Sequence, residues 1–250
     1  MKKIIPRIST RGYYDLTFGK TLKTRSYFLY PKKDFKKLVG SKELVIVIHG
    51  LRNDNAGAIA KVILVQDRLS RLHYPFPVVG FSYDSNTTGA HLLRYAKRAL
   101  SAGQIIAKKN GRNLAQFIID FKSISPETQI RLMGHSLGSQ VILSTVEYLA
   151  KKQKNRIIES VYFFGASITS DVPSSKKYGK SLDNIIKCKI VNYYNPTDEV
   201  LNWANNAKFV NGPLGLNGAL GKTISKYHQK LVKPKNHRFA SYISVLNMFP

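Results

Sequence analysis

The run Gln129-Ile130-Arg131-Leu132-Met133-Gly134-His135-Ser136-Leu137-Gly138 decides how the rest of the chain is read. Residues 129–133 have the short apolar composition of a buried strand, and residues 139–151 place Val141, Ile142, Val146 and Leu149 at helical spacing. Between them lies the pattern Gly-x-Ser-x-Gly. A serine in a tight strand-to-helix turn needs small flanking residues, because the turn closes only where no side chain intrudes, and it leaves the hydroxyl exposed. Strand, turn and helix together predict a layered, mostly parallel sheet with Ser136 at its carboxyl edge, where such sheets carry their chemistry.

The flanking sequence repeats this alternation. Residues 44–48 form a continuous β-branched run ending at His49-Gly50, residues 55–72 have helical periodicity, and residues 77–81 read as the next strand. A long helix or helix pair is expected over residues 91–122, with an interruption near Asn110-Gly111. Strands follow over residues 159–165 and 187–194, then a last strand within 224–232 and a terminal helix over 238–248. Ahead of the core, residues 12–30 read as a β-hairpin turning at Gly19-Lys20, and residues 31–42 as a lysine-rich connection. With no repeat or low-complexity linker, residues 1–250 are expected to form one domain, 1–42 as hairpin and connection and 43–250 as core.

Charge is the most unusual global feature. There are 40 Lys and Arg against 14 Asp and Glu, a formal charge of +26, and no acidic residue occurs from Val200 to Pro250. Such a surface attracts polyanions. The charge is dispersed, however, and no Gly-rich phosphate loop, zinc knuckle or aromatic RNA-binding signature accompanies it, so no specific nucleic-acid partner is indicated. It reads first as a solvated basic surface, and second as a face for an anionic membrane or another polyanion. The lone Cys188 excludes an intrachain disulfide and a cysteine-based metal site. The basic start at residues 1–7 lacks the apolar core of a signal peptide, and no window approaches the roughly 18 apolar residues of a membrane span. The expectation is a soluble cytoplasmic protein, with peripheral contact at the membrane surface as a further possibility.

A serine hydroxyl needs a base to become a useful nucleophile. Of six histidines, His237 follows the last predicted strand and precedes the terminal helix, where a base can swing over the sheet edge. His135 adjoins the serine and should point away from the attack face, and His49 should shape the loop after the first parallel strand. His73, His91 and His228 lack a supporting pattern. The acid that orients the imidazole is assigned to Asp198, in the turn Asn195-Pro196-Thr197-Asp198 after a strand, with Asp171 as rival. A helix-capping aspartate before Val200-Leu201 is the plainer reading of Asp198. The oxyanion donors are expected to be the amide of Leu137 and that of Leu51, with Arg52 next in line. Residues 211–218 read as a packed loop or, alternatively, part of an acyl pocket. Tyr83 and Asp84 read as a strand-end turn or a border of the site.

His49-Gly50, Gly134-His135-Ser136-Leu137-Gly138 and Phe164-Gly165-Ala166 resemble lipase-like and esterase-like α/β-hydrolases, over roughly residues 43–245. Residues 192–201 resemble the acid-bearing turn of class 3 lipases and related uncharacterised hydrolases. The resemblance implies an α/β-hydrolase fold, with a mostly parallel sheet, an N-terminal antiparallel hairpin and helices on both faces. It further implies hydrolysis of small-molecule or lipid esters through an acyl-enzyme on Ser136, without metal or organic cofactor. One departure is the short stretch between Gly165 and Lys187, too short for a large lid domain. The alternative function is a non-catalytic module of the same fold that binds an anionic partner through its basic surface.

Overall fold

The computed structural model describes residues 5–250; Met1 to Ile4, part of the basic start, lie outside the described residues. Eight strands form one sheet in the order β2-β1-β4-β3-β5-β6-β7-β8. They are β1 (Arg7–Ser9), β2 (Phe28–Tyr30), β3 (Glu43–Ile48), β4 (Val78–Ser82), β5 (Gln129–His135), β6 (Ile158–Phe164), β7 (Ile186–Tyr194) and β8 (Tyr227–Leu231). Every neighbouring pair is parallel except β1 with β2. Crossover helices return the chain between parallel strands: α2 (Asn55–Arg71), α3 (Ala96–Ile124), α4 (Gly138–Lys151) and α5 (Gly179–Ile185). Shorter helices are α1 (Lys32–Lys36), α6 (Glu199–Asn206), α7 (Leu214–Asn217) and α8 (Phe239–Ser244).

The central strands are buried almost throughout because both faces of the sheet are covered. Leu44, Ile46 and Ile48 of β3 pack with Ile106, Leu114 and Ile118 of α3 and with Val141, Ile142 and Val146 of α4. Val45 and Val47 point the other way, into a second core with Val62, Val65 and Leu69 of α2 and Phe239, Tyr242 and Ile243 of α8. The two-residue strand period thus divides one strand between two cores. At one edge, β8 presents His228, Gln229 and Lys230 to solvent, which discourages further strand addition.

Two expectations need correction. The hairpin over residues 12–30 reduces to a single bridge between Tyr14 and Thr21, and the antiparallel pair is instead β1 with β2. Asp84 explains this: its carboxylate accepts the backbone amides of Gly12, Tyr13 and Tyr14 at 3.0, 3.0 and 3.1 Å, holding that stretch as a loop. The expected interruption at Asn110-Gly111 is absent, and α3 runs unbroken from Ala96 to Ile124. Asn110 is satisfied in place, accepting from Thr10 Oγ1 at 2.7 Å and donating to the Ile106 carbonyl at 2.9 Å. Gly111 is where α3 meets α4, since a Cβ there would lie 2.4 Å from Ser144 Cβ. The glycine is a packing requirement, not a helix stop.

At the amino ends of the strands, Arg131 meets Glu43 through two bonds of 2.8 and 3.1 Å and donates to Ser160 at 2.8 Å, while Tyr74 donates to Glu43 at 2.9 Å. Both charges are buried. Removing one partner strands the other in low dielectric. Glu43→Ala should therefore lower unfolding free energy by about 3–5 kcal/mol in urea titrations, and a loss below about 1 kcal/mol would contradict this.

Candidate active site

The ends of β3, β5, β6, β7 and β8 supply the surroundings of Ser136. Directly after β5, Ser136 turns the chain at φ +50°, a left-handed conformation that costs a non-glycine residue about 1–3 kcal/mol. The surroundings enforce it. The Ser136 amide donates to the Phe164 carbonyl at 3.0 Å, and the Ser136 carbonyl accepts from the amide and hydroxyl of Ser139 at 3.0 and 2.6 Å. The flanking glycines have steric reasons: a Cβ on Gly138 would sit 2.5 Å from the Ile48 carbonyl oxygen, and one on Gly134 would sit 2.6 Å from Ile142 Cδ1. Gly50, after β3, lies under the serine, with a Cβ there meeting Ser136 Cβ at 3.0 Å.

The structure brings together all three side chains expected at this edge. His237 Nε2 lies 2.9 Å from Ser136 Oγ, and His237 Nδ1 lies 2.7 Å from Asp198 Oδ2. A carboxylate only accepts, so Nδ1 carries the proton and Nε2 offers its lone pair to the serine hydroxyl. Asp198 makes two sets of contacts. Its Oδ1 caps α6 by accepting the amides of Val200 and Leu201 at 3.1 Å each, and its Oδ2 serves His237. The residue is 3% exposed. Burial alone pushes its carboxyl up, but the bonds from His237, Tyr242 and the Leu201 amide outweigh that and hold it below the ordinary range. Asp171 is not part of this array; it accepts from Thr169 at 2.6 Å and pairs with Lys177 at 3.4 Å on the loop after β6.

Two supporting residues, Tyr242 and Gly103, and one contact of His135 escaped the sequence reading. Tyr242 donates its hydroxyl to Asp198 Oδ2 at 2.6 Å, although a tyrosine on an apolar helix face signals only core. His135 points beneath the site, as expected, but its Nε2 lies 2.7 Å from the His237 carbonyl and its ring stacks on Phe239 at 4.9 Å. Burial, and then the neighbouring His237, lowers its pKa well below the usual imidazole value, so it stands neutral and donates to that carbonyl. Gly103 of α3 lets Leu51 and Leu137 approach, since a Cβ there would lie 2.6 Å from Leu51 Cδ1 and 3.2 Å from Leu137 Cδ2.

His49 shapes the loop after β3. It stacks on Tyr83 at 4.5 Å, accepts the Tyr83 amide at Nε2 over 3.3 Å, and donates from Nδ1 to the Gly50 carbonyl at 3.0 Å. In that loop the Arg52 amide is spent on the Ser85 carbonyl at 2.8 Å. The amides of Leu51 and Leu137 donate to no acceptor among the described residues.

Ser136 and His237 open into a cleft of about 680 Å³, walled by Leu100 and Gln104 of α3, by Val200 and Trp203 of α6, and by Phe209 and Val210. A second groove of about 410 Å³ adjoins it, lined by Leu92, Ala96, Ala99, Leu100, Val200 and Trp203 among others. Residues 211–218 line neither and are a packed segment: Leu214 accepts from Asn192 at 2.9 Å, and a Cβ on Gly215 would lie 2.1 Å from the Ala166 amide nitrogen. Among the described residues no trio of His, Cys, Asp and Glu is arranged to hold a metal ion, and no described helix is long and apolar enough to cross a membrane.

The strand order and the serine turn give the chain an α/β-hydrolase-like fold. A family model described as a protein of unknown function, DUF726, matches residues 97–212. No curated protein matches the sequence. Among solved structures, a lipase-esterase related protein from Clostridium acetobutylicum is similar at 9% identity and TM-score 0.45, over 82% of this chain and 92% of that one. An α/β serine hydrolase without lid from Xanthomonas campestris is similar at 15% identity and TM-score 0.44, over 84% and 79%. A Trichoderma reesei cutinase, solved with a phosphonate inhibitor, is similar at 17% identity and TM-score 0.38, over 64% and 68%. The site rests on its own distances.

Two buried neutral imidazoles give the fold an acid sensitivity. Burial, then the charge of Arg11, pushes His49 down to about 3, and His135 is lowered likewise. In the unfolded chain both take up protons near pH 6.5, about the free imidazole value, while the native state does not. Stability should therefore fall as pH drops below about 6.5, by up to roughly 1.4 kcal/mol per pH unit for each imidazole. The depressed Asp198 adds a further loss only below about pH 4, as it protonates. Urea midpoints at pH 7 and pH 5 measure the first effect, and equal midpoints would contradict it.

Proposed function

We propose that the chain is a serine hydrolase that cleaves carboxylic esters through an acyl-enzyme on Ser136, with residues 1–250 working as one catalytic domain. The observation that carries this reading is the pair of contacts at His237, 2.9 Å to Ser136 Oγ and 2.7 Å to Asp198 Oδ2, at the floor of an accessible cleft.

Ser136 Oγ forms a bond to the ester carbonyl carbon while its proton passes to His237 Nε2. The amides of Leu137 and Leu51 receive the negative charge that develops on the carbonyl oxygen. Asp198 stabilises the imidazolium and keeps its ring in place. The carbon–oxygen bond to the alcohol then breaks, and the departing oxygen takes the proton from Nε2. Water repeats the sequence against the acyl group, giving the carboxylic acid and restoring Ser136. Tyr242 and His135 act as positioning residues, one on the carboxylate and one on the main chain of His237.

A series of p-nitrophenyl esters tests the proposal. Ser136→Ala should lower kcat by about 10⁶-fold, Asp198→Asn by about 10⁴-fold, and Gly103→Val, by displacing both donor loops, by about 10²-fold. With an apolar groove beside the serine, kcat/KM should rise roughly fourfold per added methylene over short acyl chains. Turnover that survives Ser136→Ala at the wild-type level would overturn the proposal.

A further inference from the structure

The walls around Ser136 are uneven in charge. Arg52, Lys61 and Arg238 line the 680 Å³ cleft, and among the described residues no aspartate or glutamate lines it. None of these three cations pairs with a carboxylate among the described residues. The Arg52 guanidinium donates instead to an imidazole nitrogen, His91 Nδ1, at 2.9 and 3.2 Å. Asp198 is committed to His237, Tyr242 and α6, and the exposed Glu199 lines the adjoining groove instead of the cleft. Arg52 also holds a left-handed backbone, φ +63°, where glycine would be less strained.

Two of the three cations line only the cleft, while the adjoining groove is largely apolar. The adjoining groove carries Leu92, Ala96 and Ala99, and it shares Leu51, Arg52, Leu100, Val200 and Trp203 with the cleft. Lys61 and Arg238 belong to the cleft and not to that groove, and Arg238 follows His237 directly. His237 must hand its proton to the departing alcohol, so the alcohol portion lies on the His237 side. The acyl chain then extends toward the groove.

We infer that the substrate is an ester of an apolar acyl chain with an alcohol that carries negative charge, its anionic group held by Lys61 and Arg238. This rests on the serine-hydrolase reading of Ser136. An uncompensated pair of cations lining a concave cleft attracts an anion more strongly than the same charges on a convex surface. Matching the anion to the alcohol places it where His237 acts on the leaving oxygen.

The test compares three decanoyl esters below their micelle-forming concentrations: decanoylglycerol, decanoylglycerol phosphate and the decanoyl ester of glyceric acid. Both anionic esters should exceed the neutral one in kcat/KM by about tenfold at low salt, equivalent to roughly 1.4 kcal/mol, and the gap should shrink as salt rises. A preference for the phosphate alone would identify a phosphomonoester as the alcohol's anion. The double variant Lys61→Met, Arg238→Gln should bring the three to parity. Calorimetric binding of the same esters to Ser136→Ala provides a readout independent of turnover, with the anionic esters about tenfold tighter. Equal rates and equal binding, both insensitive to salt and to the double variant, would overturn the inference while leaving the hydrolase reading intact. Anion-selective binding without Ser136-dependent turnover would support the anion site and overturn the hydrolase reading.

Discussion

The left-handed turn at Ser136 is the constraint on which the site depends. A serine at φ +50° is stable only because the sheet around it leaves no alternative. The Phe164 carbonyl fixes its amide, Ser139 fixes its carbonyl, and the Ile48 carbonyl on the neighbouring strand leaves no room for a side chain at position 138. These contacts come from β3, β5, β6 and α4, so the exposed hydroxyl is a product of the whole central sheet. Strain of this kind is stored where geometry matters to chemistry.

Buried polar groups carry that geometry outward. Asp198 spends one oxygen on the first turn of α6 and the other on His237 and Tyr242, so helix, imidazole and terminal segment are tied to one carboxylate. His135 adds a bond from below to the His237 carbonyl, reaching from the strand that bears the serine to the loop that bears the proposed base. Such a network is stable in low dielectric only when every member is satisfied, which makes its parts interdependent. On the other side, Gly103 allows α3 to approach Leu51 and Leu137, the two residues whose amides remain without acceptors.

The sequence made the parallel core legible because strands buried on both faces are mostly apolar, and β3, β4, β5 and β6 are of that kind. Ser136, Asp198 and His237 were legible from their places after strands and their order along the chain. What escaped was tertiary in origin. Nothing local distinguishes Gly111, which fits α3 against α4, from a glycine that ends a helix. Nor does the alternation of Tyr14, Leu16 and Phe18 disclose that Asp84, 70 residues away from Tyr14, holds the backbone of Gly12, Tyr13 and Tyr14 in a loop. His135 and Tyr242 have residue types that fit a core as well as a site, and only their partners assign them. The cleft walls come from α3 and α6, two helices with no motif of their own.

The central claim is that Ser136 is an activated nucleophile, and covalent labelling tests it most directly. Folded protein treated with an alkyl fluorophosphonate and analysed by peptide mass mapping should carry a single adduct, on the peptide containing Ser136, and Ser136→Ala should carry none. A folded protein that gains no adduct, or an adduct that persists in Ser136→Ala, would contradict the account.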